Sequence, residues 1–146
     1  MYTNSQKEKA FRILIVEDNE VCQKLFEKIF EKNHFKYDIV DNGLDAINSF
    51  SKRVYDLILM DYKIPVLDGF ETTKKIRQIE GNLTRIPIIA ISANATKDFI
   101  PKSLEAGVDE YLFKPFNIDR LLTLIQRYKE ATHYEVFAME KELVEK

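Results

Sequence analysis

Five residues of this chain could handle a phosphate together, and four short apolar runs lead to them. Arg12–Val16 runs into Glu17 and Asp18, Asp56–Met60 into Asp61, Ile86–Ile91 into Ser92, and Tyr111–Phe113 into Lys114 and Pro115. On one sheet edge, three carboxylates, a hydroxyl and an ammonium would hold a divalent cation and move a phosphoryl group. Acids at this density repel one another unless a cation sits among them. Donors that are all oxygen, with no histidine or cysteine, point to Mg2+, which takes one or two carboxylates plus waters and phosphate oxygens. Asp61 is the candidate nucleophile, because carboxylates do form acyl-phosphates. Such a transfer needs positioning and charge neutralisation more than acid–base help, and Mg2+ on one side with the Lys114 ammonium on the other would supply the neutralisation. Ser92 can donate a hydrogen bond to a phosphoryl oxygen, and Lys114 precedes Pro115, where a cis peptide can occur in a tight turn. Singly, each residue has a plainer reading as a cap, a turn residue or a solvated lysine. The case rests on the set.

Something must bring those residues to one edge. The strand candidates are 12–16, 37–41, 56–60, 86–91 and 110–113. The first, third and fourth are nearly all apolar, as strands buried on both faces should be, whereas the second is half polar and suits an edge. Helical patterns alternate with them. Cys22, Leu25, Phe26, Ile29 and Phe30 stripe 19–32 behind the cap Asn19; Leu44, Ala46, Ile47 and Phe50 stripe 43–51. Phe70, Thr73 and Ile76 do so in 69–80, which stops at Gly81, and Ile118, Leu121, Leu122 and Ile125 in 117–129, capped by Asn117. The helix over 97–106 is the least well specified, because Pro101 is tolerated only in a first turn. Alternating β and α elements require a parallel sheet with right-handed crossovers and helices on both faces. Five units give an α/β doubly wound five-stranded parallel sheet in the order 2-1-3-4-5, the flavodoxin-like arrangement, whose site lies outside the carboxyl ends of the strands.

Composition sets the frame. The chain has 146 residues, enough for one domain with a real core, and 45% hydrophobic content argues for a globular protein. A net charge of −2 gives no reason to expect direct nucleic-acid binding. No apolar run approaches the roughly 20 residues that span a bilayer, and residues 1–9 lack the apolar stretch of a signal peptide, so no membrane partner is expected. Cys22 is the single cysteine, which suits a reducing, cytoplasmic setting and a place in the core.

The stretches ILIVEDNEVCQKLF, DNGLDAI, DLILMDYKIPVLDGFETTKKIR, IPIIAISANA and AGVDEYLFKPF, in that order, resemble the receiver (response-regulator) domains of two-component and phosphorelay signalling. The resemblance covers about residues 11–128, and its wording is nearest to receivers of hybrid sensor kinases. It implies that Asp61 accepts a phosphoryl group from a phosphohistidine on a partner histidine kinase or histidine phosphotransfer domain. It implies further that Asp18, Asp61 and the backbone carbonyl of Lys63 bind Mg2+, with Glu17 acting on the metal partly through water. Lys114 would contact the phosphoryl group, Ser92 would move toward it, and Tyr111 holds the switch-aromatic position. The departures are small: Glu17 for the commoner Asp, Ile64 for a frequent Met, Ser92 where Thr is also common. Lys63 occupies a position that, in the family, helps set the acyl-phosphate lifetime.

Other readings of the fold fare worse. A flavin carrier would meet phosphate repulsion from Glu17 and Asp18, no G-x-G-x-x-G supports a dehydrogenase, and the aspartyl phosphatases place a second acid where Lys63 stands. The expected organisation is a polar lead-in over 1–10, a receiver over 11–129, and 130–146 as a helical extension or a tail. Thr132, Val136, Met139 and Leu143 recur there at helical spacing. A stand-alone switch acting on a downstream protein effector, a receiver excised from a hybrid kinase, and a module that dimerises through the last helix all fit. Beyond its own phosphotransfer and dephosphorylation, no enzyme activity is expected.

Overall fold

Successive residues of a strand point to opposite faces of the sheet, and here both faces are covered. The computed structural model describes residues 10–82, 84–93 and 97–145, with 132–145 as backbone. The lead-in expected over 1–10 lies, except for Ala10, outside the described residues, as do the side chains of the 132–143 stripe. In chain order the elements are β1 (Arg12–Val16), α1 (Glu20–Lys32), β2 (Lys36–Val40), α2 (Gly43–Lys52), β3 (Leu57–Asp61), α3 (Gly69–Glu80), β4 (Ile88–Ser92), α4 (Phe99–Ala106), β5 (Glu110–Phe113) and α5 (Ile118–Glu145). All strand pairs are parallel, in the order β2-β1-β3-β4-β5. The half-polar β2 is indeed an edge.

Ile13, Ile15, Leu57, Leu59, Ile89 and Ile91 face one way and meet Phe26 and Phe30 of α1 and Leu121 and Ile125 of α5. Leu14, Val16, Ile58, Met60, Ile88 and Ala90 face the other, against Ala46 of α2, Ile76 of α3 and Phe99 of α4. Burying one such aliphatic side chain contributes roughly 1.5–3 kcal/mol, so these two layers fix the register of every strand end.

Strand limits differ from expectation by one or two residues, for local reasons. The Asp56 carboxylate accepts the Arg12 N–H at 2.8 Å, so Asp56 bridges into β3 without belonging to it. Ile86 turns its N–H to Glu80 Oε2 at 3.0 Å and Pro87 has no N–H, so β4 starts at Ile88. Leu25, Leu44 and Ile118, expected to point inward, are instead substantially exposed. At about 100° per residue, Leu25 and Leu44 lie at the margins of stripes centred on Phe26 and Ala46. Ile118 is the first residue of its helix.

Side-chain oxygens cap four helices. Asn19, Asn42, Asp68 and Asn117 accept the N–H groups of Cys22, Asp45, Glu71 and Arg120 at 2.8–3.0 Å. No side chain caps α4, whose first backbone bond runs from Lys102 N–H to Asp98 O at 3.0 Å. Pro101 does fall in its first turn, where no N–H is required. α5 runs on as one helix to Glu145. Among the described residues, no helix is long and apolar enough to cross a membrane.

Candidate functional site

Past the buried run of β1, the Glu17 N–H still donates to Val40 O at 2.9 Å, so the ladder continues one residue beyond the strand. The loop then folds back on itself: Gln23 Nε2 donates to the Glu17 carbonyl at 2.6 Å, and the Asn19 N–H reaches Glu17 Oε2 at 3.3 Å. Asp61 is the last residue of β3, and its Oδ1 accepts the Lys63 N–H at 3.0 Å. Gly69 closes the following loop by donating to Tyr62 O at 2.9 Å, and a Cβ there would stand 2.3 Å from Tyr62 Cα. Ser92 ends β4, buried, and its carbonyl accepts the Lys114 N–H at 2.7 Å. The Lys114–Pro115 peptide is cis.

These elements converge. Lys114 Nζ lies 2.5 Å from Glu17 Oε1 and 3.0 Å from Asp61 Oδ2. Glu17, Asp18 and Asp61 each offer a carboxylate oxygen, all within 4.8 Å of one another. Glu17 is 1% exposed and Asp61 6%, whereas Asp18 is open to solvent. Burial, then hydrogen bonding with Asp61, pushes the Glu17 carboxyl up to about 7, against the pull of Lys114. Burial alone would lower the Lys114 ammonium, but its bonds to Glu17 and Asp61 outweigh this and hold it above the usual lysine range. A cluster of hard oxygen donors under this electrostatic load fits a hard divalent cation.

Of the residues singled out from sequence, Glu17, Asp18, Asp61 and Lys114 thus share one pocket. Ser92 ends the neighbouring strand at the same edge, and the Lys63 backbone folds onto Asp61. Tyr111 stands apart, its ring 6.3 Å from Phe99 and 5.6 Å from Phe113. Cys22 is half-buried against the α1 side of the core, its thiol raised chiefly by burial. Sequence reasoning passed over Gln23, Asn19's second bond, and Phe99. The aromatic beside a helix start at Asp98-Phe99, and the i, i+2 pair Tyr111 and Phe113, were the available signals.

A family model for the response regulator receiver domain matches residues 13–126. The chain belongs to that family. Hybrid signal transduction histidine kinase B of Dictyostelium discoideum is 37% identical over 132 residues, covering 83% of this chain and 7% of that protein. The chain therefore spans a small part of the length of such relatives. The receiver domain of the sensor histidine kinase PA1611 from Pseudomonas aeruginosa, crystallised with a magnesium ion in its active-site cleft, is 39% identical; it superposes with a TM-score of 0.74 over 82% of this chain and 97% of its own. The Saccharomyces cerevisiae Ssk1 receiver domain, crystallised with the histidine phosphotransfer protein Ypd1, represents the match at 31% identity, a TM-score of 0.74, and coverage of 82% and 88%. This receiver therefore shares both fold and sequence with domains of phosphorelay signalling.

Proposed function

We propose that this receiver takes a phosphoryl group from a partner phosphohistidine onto Asp61, with Mg2+ held by Glu17, Asp18, Asp61 and the Lys63 carbonyl. The observation that carries the reading is the convergence of Lys114 on Asp61 and Glu17 in a pocket with three carboxylates. An Asp61 carboxylate oxygen attacks phosphorus, the P–N bond breaks, and its electron pair returns to the imidazole, which leaves neutral after taking a proton. Bound Mg2+ supplies neutralisation of the charge that builds on the phosphoryl oxygens. Lys114 supplies a second positive charge from the β5 side, already desolvated and aimed at Asp61. Ser92 donates its hydroxyl to a phosphoryl oxygen, and Tyr111 follows the change on β5.

The chain's own chemistry ends at its phosphotransfer and dephosphorylation, and its output is a face offered to a protein effector in the cytoplasm. The small share of its kinase relatives that it spans supports a second setting, as the receiver portion of a hybrid histidine kinase. Pairing of two copies through the distal part of α5 is a further proposal, which the 28-residue length of that helix supports.

The test is phosphotransfer from phosphohistidine donors to the wild type and to Asp61→Asn, with and without Mg2+. Label stable to neutral pH on the wild type alone, and only with Mg2+, is the expected result. Equal labelling of Asp61→Asn would overturn the reading.

A further inference from the structure

The three carboxylates of the pocket are not held alike. Asp61 accepts the Lys63 N–H at 3.0 Å on one oxygen and meets Lys114 Nζ at 3.0 Å on the other. Glu17 meets Lys114 Nζ at 2.5 Å with one oxygen and the Asn19 N–H at 3.3 Å with the other. Asp18 is exposed, and among the described residues its carboxylate accepts no hydrogen bond. Only its backbone is left to aim it.

That backbone is braced from α1. The Glu17 carbonyl belongs to the peptide joining Glu17 to Asp18, and Gln23 Nε2 donates to it at 2.6 Å. A peptide unit is planar, so holding its oxygen fixes the plane from which the Asp18 Cα leaves. The preceding peptide is tied to β2, because the Glu17 N–H donates to Val40 O at 2.9 Å. Gln23 lies just inside the start of α1, which begins at Glu20. Helical side chains lean toward the N-terminus, so its amide reaches back over the first turn to the loop. Asn19 ties the same turn down, accepting the Cys22 N–H on its side chain at 3.0 Å and the Gln23 N–H on its carbonyl at 2.9 Å. Loop and helix start form one braced unit, in which Gln23 holds the peptide before Asp18.

We propose that Gln23 is a positioning residue for the metal, aiming the Asp18 carboxylate through the Glu17–Asp18 peptide rather than serving as a ligand. This rests on the reading that Asp18 is a ligand of Mg2+. Magnesium demands near-octahedral geometry at short distances, whereas calcium tolerates irregular sites. A misaimed Asp18 therefore weakens Mg2+ binding more than Ca2+ binding. Gln23 is half-buried beside a cleft of about 340 Å3 that Glu27, Asp41 and Asp45 also line. Water from that cleft can satisfy the Glu17 carbonyl once the amide is gone, so what is lost is direction rather than a hydrogen bond. Folding stability should change little, and metal affinity more.

The experiment titrates the full chain with Mg2+ alone and with Ca2+ alone, in the wild type, Gln23→Met, Asp18→Asn and the double variant. Gln23→Met keeps the length and charge of the side chain and loses its donor. It should bind Mg2+ about three- to tenfold more weakly, with Ca2+ binding changed by less than about twofold. On the Asp18→Asn background the same substitution should change Mg2+ binding by no more than about twofold. Wild-type Mg2+ affinity in a folded Gln23→Met overturns the positioning role alone, as does a loss shared equally by both cations or by both backgrounds. In the wild type, NMR should show a slowly exchanging Gln23 side-chain amide whose shift follows Mg2+ occupancy. An amide exchanging as fast as that of an exposed glutamine overturns the role even if the variants fail to fold. Unchanged Mg2+ binding in Asp18→Asn, or none in the wild type, overturns the metal reading and this role with it.

Discussion

The Lys114 ammonium stands 2.5 Å from Glu17 Oε1, on the side of the carboxylate cluster where positive charge is needed. It neutralises only part of that cluster, because the same nitrogen also serves Asp61 at 3.0 Å. Glu17 is left with a carboxyl pushed up to about 7, against an ordinary value of 4.5. A folded-state value above the unfolded one means a contribution to stability that is complete below pH 4.5 and lost as pH rises through 7. Lys114, also raised, titrates far above that window. Glu17→Gln removes the titration, so in EDTA the variant should gain on the wild type between pH 5 and 8, by roughly 3 kcal/mol at most. The same substitution removes a metal-facing charge and should weaken Mg2+ binding about tenfold or more. Urea denaturation across pH and a Mg2+ titration check both halves; a pH-independent difference in stability would refute the account of Glu17.

Val66 sits at φ 73° between Pro65 and Leu67, with the Leu67 N–H donating to Pro65 O at 2.9 Å. A β-branched residue is strained in that region, by about 1–2 kcal/mol. It is also exposed and contributes no core packing to compensate. Val66→Asn, which tolerates positive φ, should therefore raise the unfolding free energy by about 1 kcal/mol. A loss of stability in Val66→Asn would show that this turn is not strained.

Strand order and pocket were legible because both follow from local pattern. Central strands read as unbroken apolar runs, and polar residues directly after them must lie at the sheet's carboxyl edge. Leu25 and Leu44 misled because apolar type does not say which side of a stripe lies over the sheet. Phe99 was only half legible, for a different reason. Its meaning comes from Tyr62, Phe70 and Phe113, which are brought to it only by the crossovers of the fold. Asp38 is similar: in sequence it is one acid in an edge strand, and in the fold it gathers Arg12, Arg53 and Tyr55.

That gathering has a pH signature. Burial first, and then the 2.7 Å bond to Asp38, push the Tyr55 phenol from 10 up to about 12. Here too the folded value is the higher, so the contribution is full below pH 10 and fades toward 12. Tyr55→Phe should cost roughly 2 kcal/mol at pH 8, a hydrogen bond to a charged acceptor, with the deficit shrinking as pH climbs above 10. Denaturation of both proteins between pH 8 and 11 gives the comparison. A deficit that grew with pH would contradict the bond as described.

At the opposite end of the sheet, Arg77 ties three elements together. It donates to Gly107 O at 2.8 and 3.0 Å, to Ile86 O at 2.7 Å, to Glu80 Oε1 at 2.6 Å and to Asp109 Oδ2 at 2.8 Å. Glu80 is buried, and its other oxygen holds the Ile86 N–H at 3.0 Å. Removing the guanidinium therefore strands a desolvated carboxylate and two carbonyls, which should cost about 3–5 kcal/mol in Arg77→Ala. Arg77→Lys should recover little, since an ammonium cannot fork to partners on several sides. If the stranded charge dominates, adding Glu80→Gln to Arg77→Ala should restore at least about 1 kcal/mol, although Glu80→Gln alone is destabilising. A double variant no more stable than Arg77→Ala would assign the cost to the lost carbonyl bonds at Gly107 and Ile86 instead.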